Sequence, residues 1–199
     1  MKILIVGATG TIGKFVTSAL SERHEIVKAG SKSGDVQVDI KDAGSIRKMF
    51  DKVGKIDAVV ATAGKVHFGE FAKMTTAEIE VGIKDKLMGQ VNLVLIGRDF
   101  VKDGGSFTLI SGVLSHDPIR YGVGASLVNG AIDSFVRAAA IELPHGIRIN
   151  SISPGVLEES LPSYGPYFLG HEAVPGKRVA NAYVKSVEGL LTGQVIQVL

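Results

Sequence analysis

Glycines at positions 7, 10 and 13 are the first residues whose spacing suggests chemistry. They lie in Gly7-Ala8-Thr9-Gly10-Thr11-Ile12-Gly13, after the apolar run Ile3-Leu4-Ile5-Val6 and before a helical pattern, Lys14 to Leu20. A buried strand that breaks into a glycine turn and opens a helix can hold a pyrophosphate. The glycines let the backbone approach the phosphates, and the free N–H groups and dipole of the helix N-terminus face the negative charge. The spacing is G-x-x-G-x-x-G rather than the commoner G-x-G-x-x-G, and glycines also end strands for local reasons. The strand before and the helix after favour nucleotide binding. A second stretch, Gly30-Ser31-Lys32-Ser33-Gly34, follows the second strand. An acid usually stands there to bind the ribose of NAD. Here Ser31, Lys32 and Ser33 offer hydroxyls and a cation suited to a 2′-phosphate, which points to NADP. Asp35 is the nearest acid and keeps NAD open, and an ordinary polar turn would also explain the stretch.

Acid–base candidates are few. His116 and Asp117 form one pair, and imidazole has the right intrinsic pKa for proton transfer near neutrality. His67 and Glu70 form another. Cysteine is absent, which excludes disulfides and thiol chemistry, and no histidine–carboxylate grouping has metal-site spacing.

The elements that must position these residues alternate. Strand patterns at Lys2–Val6, 25–29, 36–38, 56–61, 106–111, 147–152 and 194–198 are separated by helical ones. Ser45 is placed to cap a helix over 46–53, whose apolar face is Ile46, Met49, Phe50 and Val53. Thr75 or Thr76 caps a long helix to about Phe100, with an apolar stripe at Ile79, Ile83, Leu87, Val91 and Leu95. A helix rich in small residues covers 125–143. Strands alternating with helices imply an α/β, Rossmann-type doubly wound sheet, mostly parallel, seven-stranded, with helices on both faces. Ala61-Thr62-Ala63-Gly64, at a strand's carboxyl end, suits either a flat ring packed on the sheet edge or a tight turn. The segment 156–177, with Pro162, Pro166, Pro175, Tyr164, Tyr167, Phe168 and His171, reads as a substrate loop over the sheet edge.

Composition sets the bounds. The 199 residues suit one domain over 1–199, and 45% are hydrophobic. A net charge of +2, without a basic stripe, argues against nucleic acid as a partner. No apolar run approaches the roughly 18 residues of a membrane span. A basic region followed by an apolar one is also absent, so the expected location is cytoplasmic.

Taken in order, these pieces resemble the short-chain dehydrogenase/reductase family. Gly7–Gly13 is similar to the glycine loop of its atypical members, Asp39-Ile40 to its adenine-contacting pair, and Ala61-Thr62-Ala63-Gly64 to its Asn-Asn-Ala-Gly element. Pro154-Gly155 resembles the pair that lines the nicotinamide, and Leu191–Ile196 the last-strand signature. The resemblance implies an NADP(H)-dependent oxidoreductase acting on a carbonyl or alcohol. It also implies a homodimer or homotetramer built through the 75–100 and 125–143 helices. The family's general acid/base is a tyrosine, with a lysine four residues on, a serine orienting the substrate and an asparagine supporting the proton path. Those positions hold Ala125, Asn129, Gly112 and Lys86 here. Ser111 can replace the shifted serine, Tyr121 can supply a phenol from one helical turn upstream, and Lys86 can supply the cation. Asn129 can bind ribose but cannot lower a pKa as a cation does. An alternative is a dinucleotide-binding sensor that has lost catalysis.

Overall fold

A computed structural model describes residues 1–199. Seven parallel strands run in the order β3-β2-β1-β4-β5-β6-β7. They are β1 (Lys2–Val6), β2 (Glu25–Gly30), β3 (Val36–Gln37), β4 (Ile56–Ala61), β5 (Val101–Ile110), β6 (Arg148–Pro154) and β7 (Val195–Val198). The connecting helices include α1 (Thr11–Ser21), α2 (Ala43–Val53), α3 (Thr76–Gly82), α4 (Met88–Gly97), α5 (Val123–Glu142), α6 (Leu161–Tyr164) and α7 (Gly176–Glu188). This is the Rossmann-type architecture that strand–helix alternation predicts.

Alternation along the strands divides the core into two layers. Leu4 and Val6 of β1 join Val59, Phe107 and Ile149 beneath α2, α4 and α5. Ile3 and Ile5 point the other way, with Ala58, Val60 and Ile152 against α1 and α7. Strand order reverses beside β1, so a crevice opens at the carboxyl ends of β1 and β4. That is where open α/β sheets hold ligands.

Two local expectations need correction. Asp42, not Ser45, caps α2: its carboxylate accepts from the Gly44 N–H at 2.8 Å, and the helix starts at Ala43. The Ser45 hydroxyl instead accepts from the Asp39 N–H at 2.9 Å, pinning the chain where it crosses the sheet edge.

The 75–100 helix is not uniform either. Thr75 caps it through a reciprocal box with Glu78, but Ile83–Leu87 form a π-helical turn between α3 and α4, and the helix ends at Gly97. A stripe repeating every four residues also drifts by about 40° per step around a helix of 3.6 residues per turn, so it does not stay on one face. The face against the sheet is Gly82, Lys86, Gly89, Gln90, Leu93, Val94 and Gly97, while Leu95 of the apolar stripe is 45% exposed. Glycine is required at 97, where a Cβ would lie 2.6 Å from Phe50. Gln90 locks the helix to the sheet: its amide donates to the Ile110 carbonyl at 2.9 Å and accepts from the Ile110 N–H at 2.8 Å. Lys86, within the π turn, lies on that inward face, at the end of β5. No helix is long and apolar enough to cross a membrane.

Candidate active site

The phosphate end is made of backbone. Gly7 has φ +89°, and its N–H donates to the Ala29 carbonyl at 2.8 Å. A Cβ there would lie 2.8 Å from that of Ala63 and 2.9 Å from the Thr62 hydroxyl oxygen. At Gly13 a Cβ would lie 2.1 Å from the Gly7 carbonyl oxygen. Gly10 caps α1 with no side chain, and the N–H groups of Thr11, Ile12 and Gly13 have no protein acceptor. They are free to receive an anion.

A cavity of about 420 Å³ spreads from this turn along the ends of β2 and β4. Gly7, Thr9, Gly10, Ser31, Asp39, Ile40 and Thr62–Gly64 line it. Lys32 and Ser33 stand outside its wall, and the Ser33 hydroxyl pairs with that of Thr9 at 3.2 Å. The Asp35 carboxylate is exposed and off the cavity wall, and it accepts from the Lys28 N–H at 2.8 Å. Asp39 accepts from the Lys41 N–H at 3.0 Å, which steadies the turn beside Ile40. Ile40 in turn packs on Gly89. Ala61 lies within β4 rather than on the wall, and its carbonyl accepts from the buried Tyr183 hydroxyl at 2.9 Å. Glycine turn, free amides and an elongated cleft fit a dinucleotide.

Thr62, Ala63 and Gly64 also wall a second cavity of about 280 Å³, into which Ile12, Pro154 and Gly155 face. Lys86, Ser111 and Asn129 lie at its inner end, while Val66, Phe68, Leu114, Leu157, Tyr164 and Phe168 make it apolar outward. The Lys86 ammonium donates to the Ser111 carbonyl and to Asn129 Oδ1, both at 2.7 Å. Only 9% of Lys86 is exposed. Burial pushes its pKa down to about 8, and the carboxylate of Asp133 pulls the other way. Asn129 is seated against Gly112, whose φ of +154° and missing side chain leave room for its amide. Ala125, 2% exposed, is part of the same wall.

The structure therefore brings Ser111, Lys86 and Asn129 together, and leaves Tyr121 outside. Tyr121 packs edge-on to Tyr167, with ring centroids 5.8 Å apart, in a neighbouring groove shared with Phe68, Glu70 and Tyr164. His116 is held between Ser115 and Gln197, each at 3.1 Å, and Asp117 faces His171 at 3.7 Å. His67 faces Glu78 at 3.4 Å, and Glu70 pairs with Lys73. None of these four lines the cavity that holds Lys86. Sequence reasoning missed Asp133, which is buried and accepts from the Ser151 hydroxyl at 2.9 Å. The signal was its place four residues after Asn129, on the same face of α5.

A family model described as enoyl-(acyl carrier protein) reductase matches residues 7–172. The chain belongs to the short-chain dehydrogenase/reductase family. Within the family, the sequence is 26% identical over 182 residues to an uncharacterized oxidoreductase, YmfI, of Bacillus subtilis, covering 79% of this chain and 75% of that one. It is 28% identical over 151 residues to the short chain dehydrogenase claC of Passalora fulva, covering 71% of this chain and 56% of that one. It thus spans little more than half the length of that second relative. Among solved structures, the protein lin1944 of Listeria innocua is 48% identical, with a TM-score of 0.99 and both chains fully covered. A small-chain dehydrogenase in complex with NADPH is 26% identical, with a TM-score of 0.88, over all of this chain and 96% of that one. Lys86 on the π turn and Asn129 on α5, the two positions that the resemblance aligned with the family's asparagine and lysine, are joined directly by the 2.7 Å hydrogen bond.

Proposed function

We propose that the protein is an NADP(H)-dependent oxidoreductase that transfers hydride between nicotinamide and a carbonyl or alcohol substrate, with an atypical proton donor. The observation that carries this reading is the shared wall, Thr62–Gly64, where the backbone-lined cleft meets an apolar cavity with a buried cation at its end. When bound, the cofactor supplies the hydride, and the chain supplies orientation and electrostatics. Gly7, Gly10 and the first turn of α1 hold the pyrophosphate. Asp39 and Ile40 border the adenine, and Pro154 and Gly155 border the nicotinamide. Ser31 on the cleft wall, with Lys32 and Ser33 beside it, receives the 2′-phosphate. Asp35 stands off the cleft wall with one carboxylate oxygen engaged by the Lys28 N–H, which supports NADP over NAD. The NADPH complex of a similar dehydrogenase is consistent with this.

Residues 156–177 form the substrate loop, with Tyr164 and Phe168 walling the cavity. Apolar carbonyl compounds fit that wall. The helix pair α4 and α5 leaves Leu95 and Leu127 exposed, which supports a homodimer or homotetramer formed across this face. Light scattering reads the assembly directly.

The test is NADPH oxidation over a panel of aldehydes and ketones, with calorimetry for NADPH and NADH. Turnover with NADPH and tighter NADPH binding are expected. Ala125 at the tyrosine position favours one other reading, a dinucleotide sensor without catalysis. NADPH binding with no turnover across the panel selects the sensor.

A further inference from the structure

We propose that the ammonium of Lys86 is itself the proton donor for carbonyl reduction, with Asn129 as its positioning residue. This rests on the hydride-transfer reading above and names the acid which that reading leaves open.

Two titratable side chains line the cavity, Lys86 and Tyr164. Tyr164 belongs to the outer end: its ring packs on Phe68 at 5.7 Å, and both rings also wall the neighbouring groove. Lys86 belongs to the inner end. Its side chain lies against Gly64, where an added Cβ would be 2.6 Å from Lys86 Cγ, and Gly64 is common to the cofactor cleft and the cavity. A reacting carbonyl must sit at that junction to meet a nicotinamide. Ala125 presents only a methyl group there, so no phenol competes.

The ammonium is held for the task. It has three N–H bonds, of which two go to the Ser111 carbonyl and Asn129 Oδ1 at 2.7 Å. The third has no protein acceptor, and on this proposal it donates to the substrate oxygen. Both acceptors are neutral, so they orient the cation without neutralising it. The charged groups around it are few. Asp133 on α5 is the carboxylate that draws the Lys86 pKa upward, and its own Oδ1 is engaged by Ser151. Asp85 on the same π turn is directed at the Lys65 N–H, 2.9 Å away. Burial outweighs Asp133 and leaves Lys86 titrating at about 8, close to the range in which an acid both holds and gives up its proton.

The step balances. As the carbonyl carbon gains hydride and is reduced, its C=O π electrons move to oxygen. One Nζ–H bond breaks and an O–H bond forms. The cofactor is oxidised, and Lys86 is left as a neutral amine that water reprotonates.

The test uses the full-length chain as wild type, Lys86→Met and Lys86→Arg. The substrates are benzaldehyde, hexanal and cyclohexanone with NADPH. Three readouts are taken: calorimetric NADPH affinity, the pH profile of kcat, and the Nζ titration by NMR on lysine-labelled protein, assigned by its loss in Lys86→Arg. Wild-type reduction is expected to fall as pH rises through about 8, with the Nζ midpoint at the same pH. Both variants are expected to lose about 10²–10⁴-fold in kcat while their NADPH affinity stays within about tenfold. Arginine should not rescue, because it keeps the charge but does not release the proton. A wild type that turns over while both variants remain within about threefold of it overturns the Lys86 assignment alone and leaves the oxidoreductase standing. An Nζ midpoint above 10 also overturns the assignment, and needs no variant beyond the one that assigns the signal. A wild type that binds NADPH and reduces none of the substrates overturns the oxidoreductase reading and the Lys86 role with it.

Discussion

The cleft and the cavity share three residues, Thr62–Gly64, and are built in opposite ways. The cleft is shaped by backbone: a left-handed Gly7, a Gly13 with no room for a Cβ, and amides left free at the start of α1. The cavity is defined by side chains, and its chemistry depends on which residue carries the cation. A site made of backbone tolerates few alternatives, because each glycine answers a steric demand of the fold. A site made of side chains can draw its groups from neighbouring elements, as the contact of Lys86 on the π turn with Asn129 on α5 illustrates. The two halves should therefore fail differently when perturbed.

The largest effect is expected in the cleft. Gly13→Ala places a methyl group 2.1 Å from the Gly7 carbonyl oxygen, which is backbone and cannot rotate away. The turn must open, and the α1 amides lose their aim. NADPH affinity measured by calorimetry should fall by about a thousandfold, or about 4 kcal/mol. An affinity within threefold of wild type would break the comparison, because the cleft would then be as adaptable as the cavity.

The next effect is on stability and belongs to the cavity. The Lys86 pKa is lowered on folding from 10.5 to about 8, so between those values the unfolded chain binds a proton that the folded chain does not. Stability should therefore rise with pH across that window, and the buried charge costs the fold about 3 kcal/mol below it. Lys86→Met removes this dependence. The difference between wild type and variant in urea-melt stability should shift in favour of wild type by about that amount between pH 8 and 10.5. A flat difference would mean that the ammonium is solvated.

This contrast also explains what the sequence makes legible. Strands such as Ile3–Val6, the glycine loop and the strand-end Thr62–Gly64 carry their geometry in residue type, so the order of elements and the cleft can be read from them. The polar end of the cavity depends on a register that a four-residue repeat does not report. The stripe Ile79, Ile83, Leu87, Val91 and Leu95 repeats every four residues and so drifts around a helix of about 3.6 residues per turn, and the face that meets the sheet carries Lys86 and Gln90 instead. The Asp42 cap was equally hidden, since Ser45 and Asp42 are both good caps and only the path of the chain from β3 separates them. The contact of Lys86 with Asn129 joins residues 43 apart in sequence, and no local pattern encodes it.

The third effect lies at the far end of the cleft and is smaller, because it is solvent-exposed and made by side chains. Ser31→Asp sets a carboxylate on the wall where a 2′-phosphate would rest. NADPH binding should weaken about tenfold, and NADH binding should gain, since the acid can take a ribose hydroxyl. Lys32→Glu should weaken NADPH less, because Lys32 stands outside the wall and acts through a screened charge. If the two variants leave the NADPH-to-NADH ratio unchanged, this end of the cleft is not reading a phosphate.

The smallest effect is expected at Tyr121, and it separates a residue that shapes the cavity's surroundings from those that line it. Its φ is +68°, a conformation that L-residues adopt at a cost. That backbone has a structural task, because the Tyr121 carbonyl accepts from the Gly69 N–H at 3.1 Å and fixes the loop after β4. The ring lies edge-on to Tyr167 with Arg120 over its face at 4.7 Å, so its aromatic surface is engaged while Ala125 and Lys86 face another space. Tyr121→Phe keeps the backbone, the edge contact and the cation–π contact, and removes only a hydroxyl. We expect kcat/KM to stay within about threefold of wild type, which is below 1 kcal/mol of transition-state stabilisation. A loss of 10²-fold or more, with the alkaline limb of the pH profile removed, would instead place the phenol in the proton path. The cavity would then have to close over the neighbouring groove during turnover.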